Sequence, residues 1–266
     1  MGPQTAMLPA VWPSHRALLD RLPAQTGGGL ILDLACGVGS PTFEAAKQNP
    51  EARVLGVDRA GKLIDAARAL AAAHGIGNVD FQVMPLDELS LADQSVDAAV
   101  SHFAFLQEGD VAESVKELSR VLKDGASFSV AAWDVIELNT LASLAVSVLE
   151  RHVPEELLPD MEYLSELAAP GLRERLLREA GFSTVHTELL SWRLPLPSAT
   201  AVIASPVPFG RAVDSLSSSE LDVVKTELGQ GADQYRTPEG TYAFPMTCRL
   251  YWGNRWSIGF APSADF

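Results

Sequence analysis

The sequence predicts an α/β protein: a doubly wound, mostly parallel sheet of seven strands, with a helical segment inserted after strand five. Three observations carry this. An apolar run, a glycine-bearing turn and a helix follow one another over Leu30–Thr42. Strand-length apolar runs then alternate with amphipathic helical patterns as far as Trp133, the order that builds parallel β-α-β units. Asp134–Ala169 breaks the alternation, which resumes afterwards.

Val11–Leu22 reads as a helix ahead of the sheet, with Trp12, His15, Leu18, Leu19 and Leu22 on one face. Leu30, Ile31, Leu32 and Leu34, interrupted only by Asp33, form a strand buried on both faces. Gly37 and Gly39 open backbone conformations closed to other residues, Ser40 reads as an N-cap and Pro41 as the first helical position. Main-chain N–H groups at such a junction face a ligand above it. Arg53–Val57 is the second strand and ends in Asp58, 19 residues after Gly39. A carboxylate there can accept hydrogen bonds from both hydroxyls of a ribose, or it can cap the next helix.

Lys62–His74 is an alanine-rich helix closed by Gly75, and Val79–Met84 is the third strand. Ser95–Ser101 is the fourth; ligands of open α/β sheets sit beyond the carboxyl ends of strands, so Ser101, His102 and Phe103 face that crevice. Val111, Val115, Leu118 and Leu122 form a helical stripe stopped by Gly125, before a fifth strand over Ser127–Trp133. Leu138–Val153 and Glu155–Ala168 read as helices separated by Pro154. Gly171–Gly181 reads as a sheet-packing helix on Leu172, Leu176, Leu177 and Ala180, and Phe182–Arg193 as the sixth strand. Ser198–Gly240 is irregular apart from a helix over Ser219–Leu228, and Tyr242–Trp252 supplies an antiparallel seventh strand.

Asp33-Leu34-Ala35-Cys36-Gly37-Val38-Gly39, followed by Asp58, resembles motif I of the class I S-adenosyl-L-methionine (SAM) methyltransferases. More narrowly it is similar to the small-molecule group with the ubiquinone and menaquinone C-methyltransferases, the type 11 methyltransferase domain. Leu118–Gly125 resembles that family's helix, glycine turn and fifth strand. The likeness covers Leu30–Trp133 and implies a Rossmann-like fold with SAM as cofactor. It implies that Asp33 orients the turn and the methionine amino group, that the Ala35 and Gly37 backbones meet the methionyl tail, that Cys36 is a small residue required there, and that Asp58 clasps the ribose. Gly39 completes the turn.

Two positions depart from the pattern. Pro85 stands where the family carries an acid, so adenine recognition falls to the Leu86 N–H or to Asp87. Arg59 replaces an apolar residue, and either stacks on adenine or is solvated. A nicotinamide site is disfavoured because Thr42 occupies the third glycine position.

Methyl transfer demands alignment and water exclusion; a base is needed only where the acceptor loses a proton. His102 is the candidate base, its pKa expected near working pH, with His15 second; His74, His152 and His186 lie outside the expected mouth. Both histidines also read as packing side chains. Trp12, Phe105 and Trp133, with Phe103, suggest an aromatic or apolar small acceptor, such as a quinone-like, polyketide, indole or terpenoid compound. The runner-up keeps the SAM site but catalyses a cyclisation or serves as a binding protein.

Composition bounds the rest. A net charge of −14 disfavours nucleic acid, and no apolar run is long enough to span a bilayer. Cys36 and Cys248 make no disulfide framework, and Met1–Ala10 carries no export signal, so a reducing cytoplasm is expected. No residue cluster has metal-ligand spacing. A homodimer is one option for the assembly. The expected organisation is a single domain over 1–266, with core segments 11–134, 170–193 and 241–260 and cap insertions 135–169 and 198–240.

Overall fold

The computed structural model describes residues 13–22, 27–106, 109–202 and 209–256. Val11 and Trp12 fall outside this range. The sheet has seven strands: β1 (Leu30–Leu34), β2 (Arg53–Asp58), β3 (Val79–Val83), β4 (Val96–His102), β5 (Leu122–Trp133), β6 (Phe182–Leu196) and β7 (Tyr242–Arg255), in the order β3-β2-β1-β4-β5-β7-β6. The five strands from β3 to β5 run parallel. β7 reverses. Near its end Asn254 Nδ2 donates to Gly125 O at the start of β5, whereas Asp134 N, past the end of β5, donates to Thr247 O. β6 opposes β7 in turn, with Ser183 bonded to Asn254 O and Arg193 to Ala243 O. The antiparallel seventh strand expected from sequence is therefore present.

The helices are α1 (Pro13–Leu19), α2 (Ser40–Gln48), α3 (Gly61–Ala73), α4 (Val111–Val121), α5 (Thr140–Leu149), α6 (Met161–Leu167), α7 (Leu172–Glu179), α8 (Gly210–Ser215) and α9 (Ser218–Ala232). Among the described residues no helix is long and apolar enough to cross a membrane. β1 and β4 are buried almost throughout, as central parallel strands should be, while the edge strands β3 and β6 expose most side chains.

The chain divides into two compact units. One comprises residues up to Ala132, Pro170–Leu189 and from Arg249 onward; the other comprises Trp133–Ala169 and Leu190–Cys248. In the first unit, Asp97 near the start of β4 accepts from Leu30 N at 2.9 Å and from Lys123 Nζ at 2.7 Å, which fixes where β1 begins. The second unit has its own core, where Ala145, Val148 and Leu149 of α5 meet Val224 and Leu228 of α9 and Phe209. Asn139 ties this unit to its strand by accepting from Thr247 N at 2.9 Å.

Several elements differ from the sequence reading: the expected helix over 155–168 is a single 3-10 turn, Glu155–Leu157, followed by α6, and α8 lies in the stretch expected to be irregular. α2 is capped by Gly39 in the left-handed conformation, so Ser40 is the first helical residue, Pro41 follows it, and no side chain caps the end. Leu122 belongs to β5, paired with Val96; the register then jumps to Ala98–Ser127, and Gly125, with φ +76°, sits inside that irregularity instead of stopping the helix. α7 buries Arg173 with Leu177, because the Arg173 Nε bonds to Leu106 O at 3.2 Å and its guanidinium lies 6.0 Å from the Tyr251 ring. α9 starts at Ser218, behind a capping box formed by Ser217 and Glu220, and runs to Ala232.

Leu228→Ala removes a fully buried side chain from the second unit and should cost about 2–5 kcal/mol. Urea denaturation measures this; a loss below about 1 kcal/mol would show that α5 and α9 are not packed as described.

Candidate functional site

The order of strands reverses between β1 and β4, so the crevice at their carboxyl ends is the topological switch point where open α/β sheets bind ligands. The backbone is strained on both sides of it. Ala35, just after β1, has φ +55°, and Phe103, just after β4, has φ +65°. Each such conformation costs on the order of 1–3 kcal/mol and persists only where its surroundings enforce it.

Those surroundings are a set of short hydrogen bonds. Cys36 N donates to Val57 O at 2.9 Å, and Phe103 N to Ala131 O at 2.9 Å. Gly37 N donates to Asp58 Oδ2 at 3.0 Å, and Ala60 N to Asp58 Oδ1 at 2.8 Å. Asp58 therefore braces the glycine turn and the entry to α3 together, and the ribose and capping roles weighed from sequence do not exclude each other. Each oxygen accepts one of these bonds and has capacity for another. Gly37 has φ +56°, and a Cβ built there meets no atom within 4 Å, so the turn is bordered by open space.

Beneath the turn lies Asp33, fully buried. Thr42 Oγ1 donates to Asp33 Oδ2 at 2.6 Å, whereas Oδ1 is buried without a hydrogen-bond partner. Burial, opposed by the Thr42 bonds and assisted by the charge of Asp58, pushes the Asp33 carboxyl up to about 7. Thr42, at the position a third glycine would hold, is thus a polar clamp on that acid. The Cys36 thiol, buried beside both acids, is raised far above its ordinary value and is no nucleophile at neutral pH.

At the end of β4, Ser101 is fully buried, its hydroxyl donating to Leu34 O at 2.7 Å and accepting from Phe105 N at 3.4 Å, so it joins β4 to β1. His102 Nε2 lies 3.1 Å from the Ser14 hydroxyl of α1, and its ring is 5.5 Å from His15 and 4.0 Å from Phe103. Burial, with His15 adding to it, lowers His102 to about 3. This corrects the expectation of a pKa near working pH: the imidazole stays neutral and offers hydrogen bonds instead of a proton sink.

Asp33, Ala35, Cys36, Gly37, Gly39, Asp58, Ser101, His102, Phe103 and His15 thus gather at one end of β1, β2 and β4. Arg59 and Asp87 are exposed, and Leu86 is half-buried in the loop after β3. Phe105 departs from its expected role. It has no exposed surface and packs as core, because the chain turns inward after Phe103. Trp133 belongs to the second unit, stacked on Trp192 at 6.1 Å between ring centroids. Trp12 lies outside the described residues. Among those residues, no three His, Cys, Asp or Glu side chains cluster to hold a metal ion.

Residues 26–181 match the family model described as a methyltransferase domain. A ubiquinone/menaquinone biosynthesis C-methyltransferase of Geotalea daltonii is 32 % identical over 99 residues, 36 % of this chain and 42 % of that protein. The chain spans less than half the length of the first curated relatives it matches. Among solved structures, YcgJ of Bacillus subtilis superposes with a TM-score of 0.60 at 18 % identity, covering 92 % of this chain and 98 % of that one. The [4+2]-cyclase SpnF superposes with a TM-score of 0.53 at 17 % identity, covering 92 % and 81 %. The sheet is thus of the kind these proteins share.

The raised Asp33 pKa has a definite sign in the ligand-free protein. Between about pH 4 and pH 7 the folded chain holds a proton the unfolded chain has lost, so this group's contribution to stability falls as pH rises through that window and is level above it. The slope is at most about 1.4 kcal/mol per pH unit. Denaturant unfolding of wild type and Asp33→Asn from pH 4 to pH 8 should give a difference that grows in favour of the variant up to about pH 7. Parallel curves would contradict the burial of an unpartnered carboxyl oxygen.

Proposed function

Because the chain belongs to the methyltransferase-domain family, we propose that it transfers a methyl group from SAM to a small, largely apolar or aromatic metabolite by in-line displacement. One observation carries the reading: the acid that ends β2 is bonded to the glycine turn that ends β1, beside open space at the switch point. The residues fit an aminoacyl nucleoside. The buried Asp33 Oδ1 lacks a donor, as a site for an ammonium group would. The Gly37 turn allows close approach of a tail, and both Asp58 oxygens can accept further hydroxyl protons.

In this reading Asp33 holds the amino group of the methionyl tail, the Ala35 and Gly37 main chain lines it, and Gly39 starts α2 beneath it. Asp58 clasps the ribose. Leu86 N–H or Asp87 reads adenine, and Arg59, exposed at the end of β2, covers the ring face. Bound SAM supplies a methyl group already activated by its sulfonium. The protein's task is alignment and exclusion of water, which can lower the barrier by roughly 7–11 kcal/mol. His102, held by Ser14 and flanked by His15 and Phe103, orients the acceptor through neutral hydrogen bonds. An acceptor with a ready lone pair needs no stronger base. Support for an apolar acceptor comes from Phe103, whose ring lies 4.0 Å from that of His102.

SAM and S-adenosylhomocysteine should each raise the melting temperature, and NAD should leave it unchanged. Asp58→Ala should weaken S-adenosylhomocysteine binding by about 1–3 kcal/mol, the cost of losing a charged acceptor. Stabilisation by NAD alone, or unaltered affinity of the variant, would overturn the reading. Methyl transfer from radiolabelled SAM to phenolic or quinol acceptors separates an enzyme from a chain that only binds the cofactor.

A further inference from the structure

The acid beneath the glycine turn has a property that its expected contact with a ligand does not by itself require. Asp33 sits in the middle of the sheet's buried centre, on β1 between β2 and β4. One carboxyl oxygen is served by Thr42 of α2; the other has no partner. The ionisable groups that act on it are Asp58 on β2, of like charge, and the Cys36 thiol beside it, which stays protonated. The histidine at the end of β4, His102, is neutral. Among the described residues no ion pair with a lysine, arginine or histidine involves Asp33. A bare carboxylate in that setting lacks both a hydrogen-bond donor for Oδ1 and a compensating charge, which is costly, whereas a carboxylic acid is neutral and carries its own donor.

We propose that Asp33 is protonated in the ligand-free chain and that binding of an amino-acid tail ionises it, so that cofactor binding expels a proton. This rests on the SAM site proposed above and goes beyond it, since a fixed carboxylate would hold the same ammonium group without any exchange. The balance is simple. The Asp33 O–H bond breaks, its proton passes to the buffer, and the ammonium N–H groups of the incoming tail take its place on Oδ1. The position of the titration near pH 7 makes the exchange visible in the physiological range. A further consequence is that affinity for the cofactor weakens about tenfold for each pH unit below 7, the linkage expected when one proton competes with the ligand.

Isothermal titration at pH 6.5, in two buffers of very different ionisation enthalpy, counts the protons released. At that pH the α-amino group of the ligand, with a pKa of about 8, is charged, so it contributes none. S-adenosylhomocysteine should release about 0.5–1 proton per molecule bound. 5′-Methylthioadenosine, the same nucleoside without the amino-acid tail, should bind and release none. Asp33→Asn should bind the tail-less nucleoside as wild type does, which shows that the site is intact, and should release no proton with S-adenosylhomocysteine. Binding of both ligands to wild type without proton release would overturn this inference and leave the proposed function standing. Failure of both ligands to bind would overturn the function, and this inference with it.

Discussion

A single hydrogen bond from main chain to side chain organises this molecule: Gly37 N donates to Asp58 Oδ2 at 3.0 Å. It joins the turn that leaves β1 to the residue that ends β2, so two adjacent parallel strands deliver their chemistry to the same place. Next to it, Cys36 N is fixed to Val57 O at 2.9 Å, directly after the strained backbone of Ala35. Without that brace the turn would relax, and the open space beside Gly37 would have no defined floor. The cost of the strained conformations, on the order of 1–3 kcal/mol each, is offset by the buried strands on either side.

The second constraint is the polarity hidden under the turn. Parallel strands at the centre of a sheet are expected to be apolar, and β1 is so except at Asp33. Burying that acid is expensive, and Thr42 offsets only part of the expense. A site that tolerates a destabilising group at its centre gains a place where a cationic ligand group is strongly preferred over water. The same logic separates Asp33 from Asp58: one is fully enclosed and half-satisfied, the other, also buried, serves two main-chain donors with one oxygen each.

Most of the sheet was legible in the sequence, because each parallel strand carries a compact apolar run and each following helix a clear stripe. Leu30–Leu34 and Phe182 as a strand start emerge as read, and Asp58 ends β2 as expected. The misreadings share a cause: they turn on contacts distant in sequence. Gly39 displaces Ser40 as the cap because the turn needs a left-handed residue there. Gly125 reads as a helix stop, yet β5 starts before it, since Leu122 pairs with Val96. The buried Arg173 is hidden from periodicity because its partners, Leu106 O and the Tyr251 ring, lie far away along the chain. At the site, the glycine turn and Asp58 stood out by position, and Asp33 by the resemblance of its string to motif I. Three other roles did not: Thr42 as the clamp on Asp33, Ser101 as the tie between β4 and β1, and Ser14 as the partner of His102. Small hydroxyl residues carry no periodic signal. The low pKa of His102 was hidden too, because burial at a strand end is a tertiary property.

Taken together, the strained turn, the braced acid and the sealed acid describe a cradle for a sugar and a charged tail, set at the one place where the sheet's winding reverses. The most direct test is a diffraction map of crystals soaked with S-adenosylhomocysteine. The account predicts density for the ribose diol within hydrogen-bonding distance of the Asp58 carboxylate, with the amino-acid tail crossing Gly37 toward Asp33. A ligand lodged elsewhere, or a fully occupied soak that leaves the crevice above Gly37 empty, would contradict it.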